Sequence, residues 1–269
     1  LRARLQENKQ RLQGKVVAIP QKRNVNGAKV RYNRNMVNQV ITPMLNDVAN
    51  SLPKVLRATE AEYIGDNYAL SINSVITTLA KRYRDIGPLA NRIAQDMTED
   101  INASSRASFY KAMEKAVGVN LNGAIREEGV YEIIQAKTIE NVGLIQSLPD
   151  EYFKQLITVV NESATRGFSA KEIEKEIKHL GSKAKKRAKL IARDQTQKVN
   201  AAITESRQRG MGVVKYRWRT SGLENVRPTH KAHNGKVFRW DSPPKDTGHP
   251  GQDIQCQCTA EAIIDLDDF

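Results

Sequence analysis

Apolar residues recur at helical spacing through most of the chain. Ile64, Tyr68, Ile72, Ile76, Leu79 and Tyr83 form one stripe, and Thr59 with Glu62 ahead of it has the spacing of a capping box. Gly87–Pro88 interrupts the pattern. Leu89, Ile93, Met97 and Ile101 start a second stripe that Phe109, Met113 and Val117 extend, up to a break at Gly118 and Gly123. Val130, Ile133 and Ile134 predict a third helix ending before Leu148–Pro149. Tyr152, Phe153, Leu156, Ile157 and Val160 predict a fourth, ending near Gly167. Ser169 and Glu172 then form a second capping box. Ile173, Ile177 and Leu180 face inward, and Gly181 suits a C-terminal cap. Ser182 caps the next helix, whose apolar positions include Ala188, Ile191, Ala192, Ala201 and Ile203 and which ends at Gly210 and Gly212.

After Gly212 the period drops from helical to alternating. Val214, Tyr216 and Trp218 interleave with Lys215, Arg217 and Arg219, which predicts a strand. Lys236–Trp240 reads as a second short strand and Thr259–Ile264 as a last one, with turns at Ser221–Gly222, Asn234–Gly235, Ser242–Pro243–Pro244 and Pro250–Gly251. The fold class is therefore mainly α with a small C-terminal α+β unit. Three regions follow: a basic extended arm at 1–35, a helical region at 36–168, and a compact motif-rich domain at 169–269.

Composition sharpens this in two respects. Apolar residues make up 39% and aromatic residues 6% of the 269, so much helical surface is solvated or faces a partner. The net charge is +13, and it is unevenly spread. Residues 183–245 hold 17 basic against 4 acidic side chains, and residues 246–269 hold none against 6. A basic block of that kind attracts nucleic acid or an acidic partner surface; a solvated helix face explains it equally well. No apolar run approaches the ~20 residues that span a bilayer, and no secretory leader is visible. The two cysteines, one residue apart, are poorly placed for a disulfide, which favours a reducing compartment.

The distinctive chemistry is concentrated between Trp218 and Cys258, which holds both tryptophans, both cysteines and three of the four histidines. His230, His249, Cys256 and Cys258 supply two imidazoles and two thiols, a set suited to structural zinc. Against it, two thiols one residue apart on an extended strand point to opposite faces, so a bend after Pro250–Gly251 is required. The other reading is two buried thiols with histidines bonded to the turn. Arg227 and His230 can converge on one anion. With His233 and Lys236 they also make a phosphodiester-cleaving set, a histidine doing acid/base work and Arg227 or Lys236 stabilising the developing charge. The alternative is that Arg227 ties the loop to a backbone carbonyl or to a residue such as Asp241. Lys183, Lys185, Lys186, Arg187, Lys189, Arg193 and Lys198 form the basic helix, available to DNA phosphates or to an acidic protein. Trp218 and Trp240, lying in strands, read as core anchors.

In order and spacing, the segment from Ser169 to Ala262 resembles the phage Mu protein F-like family of minor head proteins. The resemblance rests on an Ala-Arg-rich helix (Ile191–Ala202), a Gly-Val strand with Trp218, Arg227–His230 followed by Gly235, and then His249–Gly251 and Cys256–Cys258. Asp194–Gln195 departs from a usual Thr-Glu pair, and His233 from a usual aliphatic. The resemblance implies a minor structural protein of a tailed-phage head and does not imply an enzymatic activity. It implies partners in the portal protein, the major capsid protein or scaffold, and packaged double-stranded DNA, with no membrane segment. Its place would be the capsid interior near the portal, and the host cytoplasm during assembly. It makes 36–168 a docking region and 169–269 the Mu F-like domain. The alternatives are a phage-encoded nuclease or ejected effector and a non-enzymatic DNA-binding protein.

Overall fold

The computed structural model describes residues 17–19, 25–62, 65–118 and 129–264, with the side chains of 59–69 and 116–117 excepted. The described chain is mainly helical and ends in a small sheet unit, as the periodicity predicts. Strand β1 (Val17–Ile19) is followed by helix α1 (Asn26–Met36), which runs through a wide π-helical turn (Val37–Ile41) into α2 (Thr42–Glu62). Then come α3 (Gly65–Arg84), α4 (Gly87–Val117), α5 (Tyr131–Thr165) and α6 (Ala170–Gly210). The chain closes with β2 (Lys215–Arg219), the short α7 (Pro228–His233), β3 (Val237–Arg239) and β4 (Thr259–Ile264).

Contacts divide the chain into two compact units, each assembled from separated stretches. One comprises Val30–Gln95 and Ile139–Ala192; the other comprises Leu1–Lys29, Asp96–Thr138 and Arg193–Phe269. This grouping cuts across the boundaries read at 35 and 168, because α4, α5 and α6 each contribute residues to both. The arm expected at 1–35 is not simply extended. Val17–Ile19 pairs with the edge of β4, and Asn26–Met36 is a helix that buries Tyr32 and Met36. Residues 1–16 and 20–24 of that arm, and the acidic tail from 265, lie outside the described residues.

The first unit is a helical core. Met36, Ile41, Met44, Leu52 and Leu56 are fully buried with Ile72, Ile76, Ile145 and Leu156. Inside it, the Tyr32 hydroxyl donates to Asn141 Oδ1 at 2.8 Å. Burial drives the Tyr32 phenol above its ordinary range.

Three helix breaks expected from the sequence are absent. α2 runs through Thr59 to Glu62, so that pair does not start a helix. α5 carries Pro149 in its interior, because Ile145, Leu148, Tyr152, Phe153 and Leu156 form one buried face across the proline. α6 passes through Gly181 and Ser182 without interruption. Gly181 is there for packing: a Cβ on it would lie 3.1 Å from Leu45 Cδ1. Ser182 Oγ donates back to the Lys178 carbonyl and caps nothing.

The capping box at the start of α6 forms as read. Ser169 N and Oγ both donate to Glu172 Oε2 at 2.8 Å, and Glu172 N donates to Ser169 Oγ at 3.4 Å. The bonds from the Ser169 side chain and backbone hold the Glu172 carboxyl below its usual range. A folded-state pKa that is depressed contributes stability present above the unfolded Glu value and lost as pH falls through the lowered one. Glu172→Gln should therefore lower the unfolding midpoint slightly at neutral pH and leave it unchanged in acid. Thermal melts of both proteins across that range test the sign.

The second unit is built on a fully antiparallel sheet ordered β1-β4-β2-β3. β4 is central and all six of its residues are buried. The β2 alternation is as predicted: Tyr216 and Trp218 face one side, while Arg217 and Arg219 face the other. Arg217 lies opposite Glu261, and Arg219 Nη2 reaches the Glu261 carboxylate at 2.8 Å. Around β1 and β4, Ile19, Ala262 and Ile264 pack with Phe109, Met113 and Val213. The second cluster, Tyr216, Trp218, Trp240, Cys256, Cys258 and Ala260, contains the candidate site.

Candidate functional site

The site is assembled from β2, α7 and the long turn before β4. Trp218 is joined to the following hairpin through its backbone, its N–H donating to the Lys236 carbonyl and its carbonyl accepting from Gly235 N. Arg227 is extended (φ −57°, ψ 146°), as the residue before a proline prefers, and Pro228 starts α7. One turn later His230 is 2% exposed, its ring set edge-on to Trp218 at 5.4 Å and 84°.

The turn from 241 to 258 is bent by residues with left-handed backbone. Gly248, Gly251 and Gln255 have φ of 65°, 87° and 56°. Gln255 is not a glycine, and its conformation is anchored from outside the turn: its N–H donates to Asp194 Oδ1 of α6 at 2.6 Å. Asp194 Oδ2 also pairs with Lys198 at 2.9 Å. The following turn brings Cys258 N within 3.4 Å of Cys256 Sγ. The two thiols thereby share one side, which supplies the bend that an extended Cys-x-Cys would lack. His230 Nδ1 lies 3.4 Å from Cys256 Sγ and 3.5 Å from Cys258 Sγ. All three residues are buried, and their ligand atoms lie within 4.8 Å of one another. His230 Nε2 lies 3.3 Å from Asp253 Oδ2, off the axis of a hydrogen bond. The hydrogen bond from Cys258 holds the Cys256 thiol down at about 6, and sharing that proton pushes Cys258 up.

His249, the fourth residue of the expected metal set, is elsewhere. Its Nδ1 is 2.8 Å from the Tyr216 hydroxyl, and its ring packs on Trp240 at 4.9 Å. Burial pulls its pKa down. A tyrosine one register step from Trp218 competes successfully for that imidazole.

The Arg227–His230–Lys236 set is also only partly assembled. Arg227 Nη2 donates to the Ile254 carbonyl at 2.7 Å and Nη1 lies 3.5 Å from Asp253 Oδ2. Arg227 thus ties down the loop through a carbonyl, as one reading expected. Asp241 is engaged instead by Arg239. Arg227 and His230 meet at Asp253, whereas Lys236 is exposed and does not line the adjoining cavity. That cavity, about 40 Å³, is bounded by Arg193, Asn225, Arg227, His230, Cys256 and Cys258.

The basic helix does not present its seven residues as one face. Lys183, Lys185, Lys186 and Lys189 are exposed. Arg187 is half-buried and donates to Ser147 Oγ, Arg193 lines the cavity, and Lys198 pairs with Asp194. Three further residues contribute to the site, and of these the sequence reading places only His233 among candidate site residues. Asp194 anchors the cysteine turn. His233, which looked incidental, bonds Asp246 at 3.0 Å and packs on Trp218 and Phe238. Gln208 is buried, donating to the Ala260 carbonyl at 3.0 Å and accepting from Trp240 Nε1 at 3.1 Å. Thr196, Asn200, Thr204 and Gln208 recur every four residues as buried polar positions of α6, and that repeat is its one signal.

The fold and site define a helical protein ending in a compact sheet module whose turn gathers one histidine and two cysteines. Residues 154–261 match the family described as phage Mu protein F like protein, so this segment of the chain is similar to that family. The match begins within α5, upstream of Ser169. The chain is also 31% identical over 234 residues to an uncharacterized protein of Haemophilus influenzae (strain ATCC 51907 / DSM 11121 / KW20 / Rd), covering 86% of this chain and 52% of that one. The chain thus spans about half the length of this curated relative. No solved structure matches it. Among the described residues, no helix is long and apolar enough to cross a membrane.

Proposed function

We propose that this chain is a minor structural protein of a tailed-phage head, docked at the portal on the capsid interior and acting in assembly, DNA packaging or DNA delivery. The observation that carries this reading is the family match over 154–261, which includes every residue of the Cys/His turn. Its partners are capsid components, the portal first among them, and its location is the virion. Mass spectrometry and localised reconstruction of intact particles test it. The chain is expected at the portal vertex and in complexes with co-expressed portal protein. Particles that assemble and infect normally without it would refute the assignment.

The protein acts as a scaffold rather than a catalyst in this reading. Arg227 is committed to Ile254 and Asp253, His230 Nδ1 faces two sulfurs, and Lys236 is outside the cavity. Metal-independent DNA cleavage lost in His230→Ala would reverse it.

Contact with packaged DNA is favoured by the four exposed lysines of α6. Four phosphate contacts would weaken binding about 100-fold between 50 and 200 mM salt, without sequence preference. Filter binding with a Lys183/Lys185/Lys186/Lys189→Ala variant checks this. Retention that ignores both salt and the substitutions would assign the lysines to an acidic protein surface or to solvent.

A further inference from the structure

We propose that His230 Nδ1, Cys256 Sγ and Cys258 Sγ bind one zinc ion, with Asp253 orienting His230 and a water completing the coordination from the adjoining cavity. This stands apart from the head-assembly reading and holds whatever the protein's partners are.

The distances favour it. A tetrahedral ion with bonds of ~2.05 Å to nitrogen and ~2.3 Å to sulfur separates the two donor types by about 3.6 Å. The observed separations are 3.4 and 3.5 Å. One imidazole nitrogen and two thiols suit zinc among the abundant divalent ions, because magnesium and calcium prefer oxygen. Two thiolates neutralise the dication, so its burial carries no uncompensated charge.

The surroundings also suit it. The Asp253 carboxylate beside Nε2 favours the tautomer that leaves the Nδ1 lone pair toward the sulfurs, the usual arrangement behind a metal-bound histidine. His230 Nε2 has no hydrogen-bond partner in the metal-free chain, and a small rotation of either side chain would align it with Asp253. The cavity of about 40 Å³ beside His230, Cys256 and Cys258 has room for a single water. The ion would join α7 to the turn leading into β4, a stretch with little regular structure of its own.

His249 is excluded from the ligand set, and this sets the sharpest test. Full-length chain purified without chelator or polyhistidine tag should contain one zinc per chain by elemental analysis. Cobalt(II) in its place should give thiolate-to-metal charge-transfer absorption and the intense visible bands of tetrahedral geometry. Zinc should protect Cys256 and Cys258 from alkylation, read by mass spectrometry on the wild-type chain. Cys256→Ser, Cys258→Ser and His230→Ala should abolish stoichiometric metal. Asp253→Asn should weaken binding about 10- to 100-fold, and His249→Ala should keep one equivalent. A reduced wild-type chain that holds no zinc and develops no cobalt–thiolate band would overturn the site. So would loss of the metal in a folded His249→Ala with retention in His230→Ala. The wild-type spectra and alkylation pattern decide the matter even where a variant does not fold.

Discussion

Trp218→Ala is expected to lower the stability of the sheet-bearing unit by about 3–5 kcal/mol, the usual range for deleting a buried tryptophan. Trp218 is fully buried and sits where every part of the site meets. Its ring backs His230 edge-on at 5.4 Å, His233 at 5.2 Å and Phe238 at 6.1 Å. It also packs in one cluster with Cys256, Cys258 and Ala260. Removing it opens a cavity under α7 and under the cysteine turn together, so His230 loses the wall that fixes its ring. Denaturant unfolding followed by hydrogen exchange should show the loss in residues 213–264. Trp218→Phe should recover much of it, because the indole N–H makes no hydrogen bond to an oxygen or nitrogen. Trp240→Phe should behave differently: its Nε1 donates to Gln208, and its loss strands a buried acceptor at a cost of about 1–3 kcal/mol. A Trp218→Ala protein within about 1 kcal/mol of wild type would show that the module is held by something other than this ring.

Why some of this was legible in the sequence and some was not follows from what each feature depends on. β2 was readable because alternation is a local property: Tyr216 and Trp218 against Arg217 and Arg219 admit one face each. β1 was missed because three residues in a basic stretch form a strand only by pairing with β4, some 245 residues later. Pro149 and Gly181 read as breaks by local propensity, whereas tertiary packing decides the helix at both. Leu45 against Gly181 is a contact between distant stretches, invisible to any window along the chain. The candidate site divides in the same way. Residue type alone singled out His230, Cys256 and Cys258. That the thiols turn to one side depends on Gln255 and its anchor on Asp194, and that His249 leaves the set depends on Tyr216. Both are choices among competing partners, and they become visible only when the partners are placed.

The second large effect is expected at Gly251, where alanine should be disruptive in a way that alanine at other turn glycines is not. Gly251 has φ +87°, and a Cβ there would lie 2.5 Å from Ala201 Cβ of α6. The left-handed backbone alone costs a non-glycine residue about 1–2 kcal/mol. The collision adds an overpacking cost of about 1–3 kcal/mol, because a methyl against the side of a helix has no flexible end to move away. The expected total is about 2–5 kcal/mol. Gly235 supplies the control. Its φ is +83° and nothing lies within 4 Å of the added carbon, so Gly235→Ala should show the backbone cost alone. Gly248 falls between them: its φ is +65°, and the atom in the way is the movable end of Gln252. However, Gln252 Oε1 accepts from His249 N, so displacing it breaks that turn bond. The ranking expected from chemical unfolding is Gly251 above Gly248 above Gly235. Because the chain reaches Cys256 five residues after Gly251, Gly251→Ala should also displace the thiols from His230 Nδ1 and expose both to alkylation. Equal effects at Gly251 and Gly235 would mean that the turn can withdraw from α6 without consequence. The close approach to Ala201 would then play no part in holding the cysteines in place.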